Sequence, residues 1–117
     1  MDNNKIVEFT LDKKRNLLFN YKAMVSYERA TGKSFFKFLG TVQASGIFAE
    51  DLQALIWAGC LHEDPTLQLE IVGELLMKAI GEGKLNDIQL KLLEAMTANL
   101  YTPSDGDKLP LESNLQK

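Results

Sequence analysis

The sequence predicts an α+β fold that is mostly α-helical, with an N-terminal β-hairpin, about five helices and a disordered C-terminal tail. Three observations lead there. The stretch Leu52 to Pro65 holds the only Trp, the only Cys and the only His. Within it Leu52, Leu55, Ile56, Gly59 and Cys60 recur at helical steps, while Ala54, Trp57, Ala58 and Leu61 fill the flanks and back. A helix apolar nearly all round belongs at the centre of a fold. Two short strand-like runs precede it, and the apolar periodicity gives out after Tyr101. A chain of 117 residues is one domain, here residues 1–101 with a flexible tail over 102–117.

Lys5 to Leu11 and Asn16 to Asn20 read as the two strands, joined by the polar turn Asp12-Lys13-Lys14-Arg15. A lone hairpin is marginal in water, so this one must lie against helices. From Tyr21 to Ala30 the period becomes helical, and Gly32 is placed to end that helix in the left-handed region. Ser34 caps a short helix carrying Phe35, Phe36, Phe38 and Leu39, and Gly40 with Ala44-Ser45-Gly46 marks a loose connection. The central helix starts near Ala49, with Glu50 and Asp51 at its positive end. Asp64-Pro65 closes it and opens the next helix, whose apolar stripe is Leu69, Val72, Leu75, Leu76, Ala79 and Ile80. Gly81-Glu82-Gly83 stops that helix. Asn86 and Gln89 have the spacing of a capping box for the last one, along which Ile88, Leu92, Met96 and Leu100 step by fours. Thr102 to Lys117 offers only Leu109, Leu111 and Leu115 against an ordering cost of about 1–2 kcal/mol per backbone unit, hence the expected tail.

Composition narrows the function classes. A 45% hydrophobic and 25% charged chain is globular, with no apolar run long enough for a membrane span and no signal-peptide core after Met1, so a cytoplasmic location is expected. Residues 1–40 carry eight Lys/Arg against four Asp/Glu, which puts the remainder of a chain of net charge −3 at −7. A basic first third can steer a charged partner or be ordinary solvated surface. The pI near 5.1 and a single basic triplet without interleaved aromatics argue against nucleic acid.

Catalytic, cofactor and metal chemistry finds no residues to carry it. Cys60 is alone, so neither a disulfide nor a multi-cysteine metal site can form within the chain. His62-Glu63-Asp64 is the one cluster of ligand type. Its adjacent side chains cannot converge on one ion from a helix end, so His62 is expected to sit at the negative end of the central helix and Asp64 to cap the next. Gly32-Lys33-Ser34 lacks the first glycine of a phosphate loop, since Tyr27 stands five residues before Gly32.

Two stretches carry a resemblance. Ala23-Met24-Val25-Ser26-Tyr27-Glu28-Arg29-Ala30-Thr31-Gly32-Lys33-Ser34 and Leu55-Ile56-Trp57-Ala58-Gly59-Cys60-Leu61-His62-Glu63-Asp64-Pro65 resemble the small tail assembly chaperones of long-tailed bacteriophages and prophages. The resemblance covers roughly residues 5–80. In that family a hairpin leads into a helix with a Glu-Arg-x-Thr-Gly-Lys-like end, followed by a helix with a Leu-x-Trp-Ala-Gly-Leu-like core. Cys60 stands where a larger aliphatic residue is expected, and Gln68 where a Thr commonly opens the next helix. The resemblance implies a non-enzymatic protein of the bacterial host cytoplasm, absent from the mature virion. It implies binding of the tape measure protein and a link to the tail tube protein through a frameshifted longer form; self-association would suit a protein that coats an extended partner, and the basic front and acidic back would permit head-to-tail contacts.

A holding chaperone must present apolar surface. Four of the six phenylalanines fall between residues 35 and 48, so Phe35, Phe36, Phe38 and Phe48, with Leu39 and Ile47, are the candidate partner-binding face. The competing expectation is that these rings close the core over Trp57. Two other functions stay open: a cytoplasmic helical adaptor or regulator that binds a partner protein or DNA through Lys13-Lys14-Arg15, and a small enzyme using His62 and Cys60.

Overall fold

The computed structural model describes residues 5–98. Leu100, Tyr101 and the tail expected over 102–117 lie outside the described residues. Two antiparallel strands, β1 (Val7–Thr10) and β2 (Lys14–Leu17), precede five helices, α1 (Tyr21–Thr31), α2 (Phe35–Ser45), α3 (Ala49–Cys60), α4 (Leu69–Gly81) and α5 (Leu85–Ala98).

The hairpin pairs Val7 with Leu17 and Phe9 with Arg15 on its buried face, and Glu8 with Asn16 and Thr10 with Lys14 on the other. The turn is therefore Leu11, Asp12 and Lys13, and β2 begins two residues earlier than expected. The cause is a pair of bonds from the Arg15 guanidinium to Asp12, Nε to Oδ1 at 2.6 Å and Nη2 to Oδ2 at 3.0 Å, which draws Arg15 inside. Beyond Leu17 the chain leaves the ladder. The Leu18 N–H donates to the Gly59 carbonyl at 2.9 Å, and the Asn20 side chain caps α1 by accepting from the Ala23 N–H at 2.9 Å.

Helix α1 ends where Gly32 takes φ 71°, and the Ser34 hydroxyl caps α2 by accepting from the Lys37 N–H. Helix α2 does not stop at Gly40. It runs on to Ser45 because Val42 shares the buried face with Phe35 and Phe38. That burial outweighs the cost of about 0.5–1 kcal/mol for a mid-helix glycine. Its terminator is Gly46, with φ 77° and ψ −173°.

Helix α3 is central: it meets α1, β2, α4 and α5, while α5 covers β1. All five residues of its expected inner face are buried, and Ala54 and Ala58 with them. At Gly59 the hairpin comes so close that a Cβ would stand 2.8 Å from Leu17 Cδ2 and 2.9 Å from Phe19 Cε2. Helix α4 opens at Leu69 rather than at Asp64-Pro65. Asp64 is engaged by Arg15, the Trp57 indole N–H donates to the Leu67 carbonyl at 2.8 Å, and Gln68 takes the cap position without a side-chain bond. Helix α5 starts at Leu85, with the Ile88 N–H donating to the Lys84 carbonyl, so Asn86 lies inside the first turn and not at a cap. Ile88, Leu92 and Met96 are fully buried. Among the described residues no helix is long and apolar enough to cross a membrane.

Candidate functional site

The helical period of α2 divides the four candidate phenylalanines. Phe35 and Phe38, three residues apart, face inward and Phe36 faces out. Phe35 is fully buried, its ring 6.0 Å from Phe19 and 5.9 Å from Tyr27, and the Phe38 ring lies 6.0 Å from Tyr27. The buried rings gather round Tyr27, while Trp57 is turned to the α3–α4 connection through its bond to Leu67. Leu39 and Ile47, expected at the surface, are partly buried against the core. Phe36 and Phe48 remain, 56% and 63% exposed.

Phe48 precedes α3 at the mouth of a cleft of about 520 Å3 between α2 and the start of α3. Phe38 and Phe48 supply its apolar lining, Thr41 and Ser45 a hydroxyl edge, and Lys33, Lys37 and Asp51 its charges. Asp51 is 4% exposed in the first turn of α3. Its Oδ1 accepts from the Tyr27 hydroxyl at 2.8 Å and from Lys33 Nζ at 3.2 Å, and Glu50 accepts from Lys33 at 3.5 Å. Burial, with Asp51 beside it, pushes the Tyr27 phenol above its usual range, and the bond to Asp51 raises the Lys33 ammonium. This cluster ties α1, the approach to α2 and the start of α3 together, with two carboxylates sharing one ammonium. Lys37 has no ion-pair partner among the described residues.

The His62-Glu63-Asp64 cluster turns out to clasp the hairpin. His62 Nε2 lies 2.8 Å from the Asn16 carbonyl. Glu63 accepts from the Asn16 backbone N–H at 3.3 Å and from its side-chain amide at 2.8 Å, which lowers the Glu63 carboxyl. Asp64 accepts from Arg15 Nη1 at 3.3 Å. Asp64 therefore does not cap α4 as expected, and His62 serves the outer edge of β2. The basic triplet is split too: Lys13 and Lys14 are exposed, while Arg15 is 7% exposed between Asp12 and Asp64 and cannot reach a partner. The Arg15 bond holds the Asp12 carboxyl below the usual range. The Cys60 thiol is buried, and desolvation pushes it up to about 12. Among the described residues no group of three or more His, Cys, Asp or Glu side chains is placed to hold a metal ion.

Arg15 had a readable signal, because in a strand it alternates onto the face of Leu17. Lys37 had none, since the cleft that gives it meaning exists only once α2 and α3 are placed. The chain matches no family model, no curated protein and no solved structure. Function therefore rests on the geometry and on the resemblance of residues 23–34 and 55–65.

Proposed function

We propose that this protein is a non-enzymatic tail assembly chaperone of the long-tailed phage type. It acts in the bacterial host cytoplasm and is absent from the finished virion. It holds the tape measure protein until tube subunits polymerise around it, and reaches those subunits through a frameshifted longer form. The observation that carries this role is the exposure of Phe36 in the first turn of α2 and of Phe48 just before α3, in a domain whose other aromatic rings of that region are buried. Large exposed aromatics, one of them lining a cleft, suit capture of another protein's apolar side chains. The element order, hairpin then helices, and the use of Gly32, Ser34 and Gly59 at tight structural points are in keeping with the resemblance.

Co-expression with the long helical protein encoded beside this gene tests the role. The expected result is a partner that becomes soluble and co-elutes with the chain. The Phe36→Ser, Phe48→Ser double variant should keep its fold by circular dichroism and lose the partner. A partner that stays insoluble with the unaltered chain overturns the role.

A further inference from the structure

We propose that the cleft between α2 and α3 is the capture groove, and that its occupant is an amphipathic helical segment of the partner protein whose aliphatic row is bordered by a carboxylate. This rests on the chaperone role and adds the place and chemistry of binding. Size comes first: about 520 Å3 is the volume of a small-molecule pocket, room here for a few side chains of a docked helix rather than for the helix itself. Phe38 of α2 and the largely exposed Phe48, which precedes α3, then offer apolar contact in its lining. Charge decides the rest. Lys33 is paired with Asp51 and Glu50, so among the described residues Lys37 is the lining charge without an ion-pair partner, and a carboxylate on the occupant would complement it. One unmatched cation is too little for a phosphate backbone. The walls are helices rather than a strand edge, which suits a helix laid in a groove. Helix α2 is flanked by Gly32 and Gly46, both at positive φ, and packs on α1.

The test uses the full 15N-labelled chain and two synthetic helices of about 18 residues, or five turns, both with a Leu row at i, i+3/i+4 and i+7. One borders the row with Glu, the other with Lys. The acidic helix should shift the amides of Lys37, Thr41 and Phe48. Phe48→Ser should weaken it about tenfold or more, and Lys37→Glu should weaken it about tenfold while admitting the basic helix. Shifts centred on Met77 and Ile80 of α4, or an affinity unchanged by Lys37→Glu, would overturn the assignment. So would movement of the Lys37 and Phe48 amides by Leu109→Ser, Leu111→Ser in the full chain without peptide, which would make the chain's own segment the occupant. A dimer lost in Phe48→Ser would assign the cleft to a second copy and overturn it equally. The two proposals separate cleanly. A natural partner solubilised equally by the unaltered chain and by Lys37→Glu, Phe48→Ser leaves the chaperone role standing and removes the cleft. If the unaltered chain solubilises nothing, the chaperone role falls on its own, and the peptide titration still decides the cleft.

Discussion

Gly59 is the residue on which the joint between hairpin and helices depends. Leu17 and Phe19 are fully buried, so a new methyl group at 2.8 and 2.9 Å forces their side chains to shift within a packed core. Gly59→Ala should cost about 1–3 kcal/mol, read as a lower urea midpoint with an unchanged slope. Next to it, Cys60 makes stability pH-dependent. Its thiol ionises near 9.0 in an unfolded chain and near 12 when folded, so above pH 9 the unfolded state releases a proton that the folded state keeps. Stability is fully present below pH 9 and falls as the pH rises toward 12, by roughly 4 kcal/mol at most. Tyr27 and Lys33, both raised, act in the same direction at higher pH. Thermal melts of Cys60→Ala should therefore show a shallower alkaline decline, with part of it remaining; an identical slope would remove Cys60 as a cause. That Cys60 is a small buried hydrophobe was legible from its place on the central stripe. That Asp51 binds Tyr27 was not, because helical spacing says nothing about a partner 24 residues away.

The second and fourth elements, β2 and α2, show where local signals mislead. Glycine marks a break only when the backbone needs a conformation other residues avoid, and of the two glycines in and after α2 only Gly46 has positive φ. Gly40 is helical with open space where a Cβ would stand, so Gly40→Ala should raise stability by about 0.5–1 kcal/mol, whereas Gly46→Ala should lower it. Both follow from chemical denaturation. The hairpin is held by the α3–α4 connection: His62 and Glu63 engage the Asn16 carbonyl and N–H, and the outer edge of β2 is closed there. Replacing both with Ala should speed hydrogen exchange of the Asn16 amide about tenfold and leave α5 unchanged. The strand was visible in sequence only as its apolar half. Lys14 and Arg15 read as turn residues because nothing nearby reveals that Asp12 and Asp64 neutralise Arg15.

At the scale of the molecule, α2 has two faces with opposite duties. Phe35→Ser removes a ring from the fully buried cluster round Tyr27 and should cost about 3–5 kcal/mol, a large part of a total near 5–15 kcal/mol. Phe36→Ser should cost about 1 kcal/mol or less, since its ring is more than half exposed and meets the core edge-on at Phe35, 5.7 Å away. Thermal melts of the two single variants give the contrast directly; equal losses would place Phe36 in the core. The charge asymmetry along the chain also changes meaning once folded. Arg15 meets Asp64 and Lys33 meets Asp51 and Glu50, so part of the basic first third is neutralised by the acidic remainder within the domain. Among the described residues Lys37 is left without an ion-pair partner at the cleft.

The α+β class, the order of hairpin and helices, the central place of α3 and the caps at Gly32 and Ser34 all follow from sequence. They depend on periodicity and on residues within a few positions of one another. Which phenylalanines face water, why Arg15 is inside, what His62, Glu63 and Asp64 hold, and the existence of the cleft were decided by tertiary structure. Each depends on residues far apart in the chain coming together: Arg15 and Asp64 are 49 positions apart, and Asn16 and Glu63 are 47. Local patterns carry no record of such distances.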